Sequence, residues 1–139
     1  MAERTLAMIK PDAVAKNAIG DIVRRAEAAG LKVVGAKLTQ LSPLDAGRFY
    51  AVHKERPFFA DLTKFMSEGP IFVVAFEGNG AVAKWRELMG PTDSKKAPAG
   101  TIRHDHGTDV ERNAVHGSDG PDTARWELGF FFGERELVA

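Results

Sequence analysis

The chain has 139 residues, 44% hydrophobic and 27% charged, and its 19 Lys and Arg balance 19 Asp and Glu to a formal net charge of zero. That length suits one domain over residues 1–139 with its own core, and the composition is globular rather than disordered. The absence of cysteine excludes disulfides and thiolate metal sites, and the absence of a basic excess argues against a nucleic-acid partner, whose affinity rests on neutralised phosphates.

Along the chain, Arg4 to Lys10 alternates Thr5, Ala7 and Ile9 against Leu6 and Met8, a strand pattern that stops at Pro11. Ile19, Ile22, Val23 and Ala26 follow helical spacing, and Gly30 stands where a left-handed C-terminal cap belongs. Leu31 to Gln40 reads as a strand with Val34, Ala36 and Leu38 on one face and Lys37 and Thr39 on the other. Ser42-Pro43 then opens a helical stretch as N-cap and first turn, and places Tyr50 and His53 on one face. Arg56-Pro57 interrupts that stretch before Phe58 to Met66 resumes it. Ile71 to Phe76 is apolar at every position, as a central strand buried on both faces should be. Asn79 is the expected cap of a helix with the stripe Ala81, Trp85 and Leu88, closed by Gly90. Pro91 to Arg112 has no convincing period, and a loop that long inside a compact domain is often functional. Ala114 to His116 is a short strand, and Pro121 opens a last helix with Ala124, Leu128 and Phe131 on one side.

This order predicts an α+β, ferredoxin-like β-α-β-β-α-β sandwich: a four-stranded antiparallel sheet covered by helices, expected on one side of it. A flavodoxin-like parallel sheet competes, but wants more strands than the chain supplies. No apolar leader follows Met1, and Ile71 to Phe76 is too short to span a bilayer, so a cytoplasmic protein with no membrane partner is expected.

Neither a G-x-x-x-x-G-K-[ST] loop nor a G-x-G-x-x-G turn is present, and Gly78-Asn79-Gly80 lacks the third glycine. The segment from Asn113 to Pro121 carries more chemical information. It ends a short strand on His116, followed by a glycine that would admit a ligand closely. Ser118, Asp119 and Pro121 would then begin a helix whose free N–H groups attract anions. Histidine titrates near neutrality and can act as a nucleophile toward phosphorus, although a lone histidine in a turn is more often a hydrogen-bonded structural residue.

Glu3-Arg4-Thr5-Leu6-Ala7-Met8-Ile9-Lys10-Pro11-Asp12 resembles the N-terminal signature of the nucleoside diphosphate kinases, and Asn113 to Asp119 resembles that family's active-site signature. Arg56-Pro57-Phe58-Phe59, Gly69-Pro70 and Gly100-Thr101-Ile102-Arg103 lie between them in family order. The resemblance implies a ferredoxin-like homo-oligomer, tetramer or hexamer, that exchanges phosphoryl groups between nucleoside triphosphates (ATP, GTP and others) and diphosphates by a ping-pong mechanism. By position, His116 would be the nucleophile and Glu127 would support it directly or through Ser118. Lys10, Tyr50, His53, Arg86, Thr92, Arg103 and Asn113 would surround phosphates and ribose. Phe58 and Val110 would hold the base with little discrimination, and Mg2+ would bridge nucleotide phosphates rather than sit in a protein cage.

That set makes physical sense, because phosphoryl transfer needs positioning and charge neutralisation above all. Lys10 would project past the sheet edge into a cleft, Arg86 borders the apolar stripe of its helix, and Arg103 sits in the long loop with a guanidinium that matches phosphate oxygens. Core packing competes for Phe58, which is spaced with Leu62 and Phe65; an ordinary helix face competes for Tyr50 and His53. Thr92 is also readable as a turn residue, and Arg86 and Glu127 as surface charges. Three positions depart from the family pattern: His104 and His106 in Arg103-His104-Asp105-His106-Gly107, Ser94 where many relatives carry proline, and a short end at Leu137-Val138-Ala139 resembling bacterial forms. Ser94 is expected to loosen its loop. With His116, the two histidines raise a metal site as one reading and two solvent-facing loop residues as the other. A nucleotide-binding module without turnover is the alternative class.

Overall fold

The computed structural model describes residues 2–138, so Met1 and Ala139 lie outside it. Its centre is β1 (Glu3–Ile9), which pairs antiparallel with β3 (Ile71–Gly78) on one side and with β4 (Val115–Gly117) on the other. β2 (Lys32–Thr39) adds to the far edge of β3, giving the antiparallel order β2-β3-β1-β4 of the ferredoxin-like fold. Apart from the buried Thr5, the two central strands are apolar at their inner positions because both sheet faces are covered. Leu6, Met8, Ile71, Val73 and Ala75 enter one core, and Ala7, Ile9, Val74 and Phe76 the other.

Helices therefore lie on both faces, which corrects the expectation of a one-sided cover. The crossover helices α2 (Ile19–Ala28) and α5 (Ala81–Met89) do share one face, bringing Ile22, Ala26, Trp85 and Met89 into its core. The opposite face is closed by α3 (Pro43–Phe49), α4 (Phe59–Ser67) and α7 (Pro121–Phe131), through Ala46, Phe49, Phe65, Met66, Leu128 and Phe131.

Four local differences have physical causes. The strand stops at Pro11 as expected, but proline at the first helical position starts the short helix α1 (Pro11–Ala15) at once. In β2, a bulge between Val33 and Gly35 places Val34 and Gly35 on the same side, so Ala36 and Leu38 turn away from the core and Leu38 is 61% exposed. Gly80, with φ +61°, caps α5 instead of Asn79. The aperiodic stretch from Pro91 to Arg112 contains a 3-10 turn at Ser94–Lys96 and the short helix α6 (Ile102–His106), capped by the Thr101 hydroxyl. Five residues are too few to show a helical period in sequence.

Candidate active site

The fold brings β4, the ends of β1 and α3, the start of α4 and the 91–113 stretch around one cleft of about 420 Å³. Lys10, Tyr50, His53, Phe58, Arg86, Thr92, Arg103, Val110, Asn113 and His116 all line it, and so does Glu111. Glu127 and Ser118 stand behind His116.

His116 sits on an edge strand opposite Met8, with its ring half-buried among Phe49 and Tyr50. Its Nε2 lies 2.9 Å from Glu127 Oε1, and Ser118 Oγ donates to the same oxygen at 2.8 Å. The Ser118 hydroxyl in turn accepts from the Leu6 N–H, so the fully buried serine ties the carboxylate to the central strand. Glu127 thus reaches His116 directly, and Ser118 anchors the carboxylate without a hydrogen bond of its own to the ring among the described residues. With Nε2 engaged, Nδ1 is the ring nitrogen left without a hydrogen bond among the described residues. Trp85 Nε1 donates to the His116 carbonyl at 3.0 Å, fixing the strand from beneath.

Gly117 lines the cleft, as its position suggested, and it serves a second purpose. A Cβ there would meet Trp85 at 2.5 Å and Met89 at 2.8 Å, so the glycine makes room for the helix below the sheet. Ser118 and Asp119 likewise precede the last helix, which begins at Pro121 with Gly120 as its cap.

The cationic side of the cleft is mostly buried. Lys10, just beyond the end of β1, reaches into the cleft as expected but is only 7% exposed, and its Nζ donates to Asn113 Oδ1 at 2.8 Å. Burial, then the charge of Arg103, lowers its pKa to about 8, with Asp12 and Glu111 opposing. Arg103 lies in α6 rather than in an open loop. It donates to the carbonyls of Gly90 and Val115 at 3.0 Å each, and burial with the neighbouring Arg86 charge lowers its pKa to about 10. Arg86 is half exposed and paired with Asp119. Asn113 also donates to the Thr92 and Val110 carbonyls, which fixes its amide orientation.

Two buried polar atoms of the lining, Tyr50 Oη and Arg103 Nε, have no partner among the described residues. Leaving such groups unsatisfied costs about 1–3 kcal/mol each, which a polar ligand would relieve. Burial also pushes the Tyr50 hydroxyl upward, so it stays a neutral donor.

At the mouth, Phe58 is 46% exposed and Val110 60% exposed, while Phe65 takes the core position that competed for Phe58. His53 and Phe58 rings approach to 5.5 Å. His104 and His106 do not line the cleft. His106 Nε2 is 2.7 Å from Asp21 of α2, His104 pairs with Asp105, and Arg25 bridges Asp21 and Asp105. No group of three potential metal ligands occurs among the described residues. The contacts of Arg25 with Asp105 and of His106 with Asp21 instead fasten α6 to α2. Ser94 is buried and packs on Gly107.

Sequence reasoning missed Asp12, Glu111 and the bond from Trp85. Asp12 is 9% exposed, and its Oδ2 accepts from the Ala114 N–H at 3.1 Å. Burial pushes its carboxyl upward, opposed by that hydrogen bond. Ala114 itself has φ +72°, a left-handed conformation that costs a non-glycine residue about 1–3 kcal/mol. No compositional signal marks an alanine for such a role.

The nucleoside diphosphate kinase family model matches residues 3–137. The Bordetella pertussis and Dechloromonas aromatica nucleoside diphosphate kinases are each 62% identical, over 132 and 130 residues. Those alignments cover 95% and 94% of this chain and 94% and 92% of the relatives. The Aquifex aeolicus nucleoside diphosphate kinase structure superimposes with a TM-score of 0.97 at 43% identity, covering 99% of this chain and all of that one. A halophilic nucleoside diphosphate kinase from Halobacterium salinarum in complex with CDP gives 0.96 at 44%, covering 100% and 93%. The chain belongs to the nucleoside diphosphate kinase family, whose activity is phosphoryl transfer between nucleoside triphosphates and nucleoside diphosphates.

Proposed function

We propose that His116 Nδ1 is the atom that carries the phosphoryl group between the two nucleotides. The observation that supports this most strongly is the Glu127–Nε2 contact at 2.9 Å. A carboxylate there favours the tautomer with the proton on Nε2 and leaves the Nδ1 lone pair free. That lone pair forms a bond to the γ-phosphorus while the bond to the bridging oxygen breaks, and the electron pair departs with the diphosphate. The ring keeps its Nε2 proton, and the positive charge that develops is met by Glu127, itself held by Ser118. In the second half, a terminal oxygen of the acceptor diphosphate attacks phosphorus, the N–P bond breaks and its electron pair returns to Nδ1.

Lys10, Arg86 and Arg103 are the groups to neutralise phosphate oxygens, with Tyr50 Oη and Arg103 Nε as ready donors. His53 and Thr92 complete the polar wall for phosphate, and Asn113 beside Lys10 suits the ribose hydroxyls. Phe58 and Val110 offer a stacking face and an apolar edge to any base. The carboxylates available to a cation in the cleft are Glu111 and Asp119, and Asp119 already pairs with Arg86. That donor set fits Mg2+ held largely through nucleotide phosphates, where it would supply charge neutralisation at the transferring group. The same reading takes the enzyme to be a cytoplasmic homo-oligomer, tetramer or hexamer. Light scattering distinguishes the two assemblies. No helix among the described residues is long and apolar enough to cross a membrane.

Incubation with γ-labelled ATP should leave acid-labile label on the wild-type protein and none on His116→Ala. Label retained by a folded His116→Ala protein would overturn the assignment, and a wild type that binds nucleotide without taking label would be a binding module.

A further inference from the structure

We propose that Asp12 is a positioning residue of this site: its buried carboxylate holds the left-handed turn at Ala114 that aligns Asn113 and Lys10 with His116. The inference rests on the reading of the cleft given above and extends it to a residue that touches no ligand.

Ala114 is fully buried with φ +72°, and Val115 N–H donates to the Asn113 carbonyl at 2.8 Å, closing a three-residue turn around it. An L-alanine is a poor occupant of such a turn, so it persists only where the surroundings over-determine it. Two grips do so. The Lys10 N–H donates to the Ala114 carbonyl at 2.8 Å, and the Ala114 N–H donates to Asp12 Oδ2 at 3.1 Å. Both come from the junction of β1 and α1, two residues apart.

The route by which this turn would relax identifies what Asp12 controls. Returning φ of Ala114 to negative values requires rotation of the Asn113–Ala114 peptide. That rotation swings the Ala114 N–H off the Asp12 carboxylate and the Asn113 carbonyl off Val115. Asn113 would move with it, and with Asn113 the Lys10 ammonium bound to its Oδ1. His116 would stay, because its ring is held from Glu127 and its strand by β1 and Trp85. The result would be a nucleophile in place and a ligand cradle out of line. Asp12 Oδ1 has no hydrogen-bond partner among the described residues, so beside the charge it presents to Lys10 the side chain engages the site through the bond from Ala114.

A double-mutant cycle tests this, because Ala114→Gly removes the need for the grip: glycine adopts positive φ freely. Single-turnover phosphorylation by ATP would be compared for wild type, Asp12→Ala, Ala114→Gly and the double variant, with thermal melting of each. Asp12→Ala should slow phosphorylation by about tenfold to a hundredfold, the scale expected for a misalignment near 1 Å. The double variant should come within about threefold of Ala114→Gly alone, the coupling expected of residues in direct contact. A loss that persists undiminished in the double variant would assign the effect to charge at Lys10 or to packing, and would overturn the proposal. If Asp12→Ala does not fold, Asp12→Asn keeps an acceptor and should stay within about threefold of wild type; a larger loss also overturns it. A wild-type enzyme that takes no label on His116 would instead remove the underlying reading, a result visible before any Asp12 variant is made.

Discussion

The two ends of the cleft are built in opposite ways. At the His116 end, Ser118, Asn113, Arg103 and Lys10 are all less than a tenth exposed, and each is tied by hydrogen bonds to backbone or to another member. At the mouth, Phe58 and Val110 are roughly half exposed, and the evident engagement of the Phe58 ring is its approach to His53. Rigid, desolvated groups are what transition-state stabilisation requires, since charges act strongly there and need no reorganisation. An exposed apolar pair supplies contact without a hydrogen-bond pattern, and so cannot read one base against another. On the function proposed above, catalysis belongs to the first end and tolerance of the base to the second.

Substitutions should therefore split by location. The largest effect short of removing His116 belongs to Glu127→Gln, which keeps size but loses the charge facing Nε2. Phosphorylation should slow by about a hundredfold, while nucleotide affinity stays within about threefold. If affinity falls instead and the single-turnover rate holds, the carboxylate belongs to binding and the division fails.

Next comes pH. Lys10, lowered to about 8 by burial and Arg103, is charged below that value and neutral above it. The free enzyme should lose kcat/KM as pH rises through 8, by about tenfold per unit well beyond it. Bound phosphate favours the charged form, so kcat should bend at higher pH. The bend should vanish in Lys10→Gln; its survival there would point to another group.

The mouth should respond least. Phe58→Ala should raise KM for every nucleotide by a similar factor, roughly fivefold, the lower end of the ~1–3 kcal/mol for a stacked base, with little change in kcat. Efficiencies for ATP, GTP, CTP and UTP with one acceptor should spread by no more than about a hundredfold, or under ~3 kcal/mol, with purines ahead. A wider spread would require a polar contact to the base, and Glu111, which lines the cleft, is the group positioned to make one.

The same contrast explains what could be read from sequence. The sheet was legible because β1 and β3 are apolar at their inner positions, Thr5 apart, and the last helix because Ala124, Leu128 and Phe131 keep strict spacing. The bulge at Val33–Gly35 was not, because a register shift leaves the local alternation intact while reversing which face it serves. Nor was α6, which is stabilised by its cap and by ion pairs from α2 rather than by an apolar stripe. In the site, Lys10, Phe58, Arg103, Asn113 and His116, drawn from four of the five family-like stretches, came together in one cleft. Asp12 lay inside the N-terminal signature, but its role depends on a backbone angle at Ala114 that composition does not announce. Gly117 was noticed for its place at the cleft, which it lines, but the void it leaves toward Trp85 was not legible.

The central claim is that Glu127 selects the attacking atom by occupying Nε2 of His116. Enzyme labelled with 15N in its histidines, phosphorylated by ATP and kept at alkaline pH, would report that atom through 15N–31P coupling. The account predicts one phosphohistidine, at His116, with phosphorus bonded to Nδ1 and a proton retained on Nε2. Phosphorus on Nε2, or on any other residue, would contradict it.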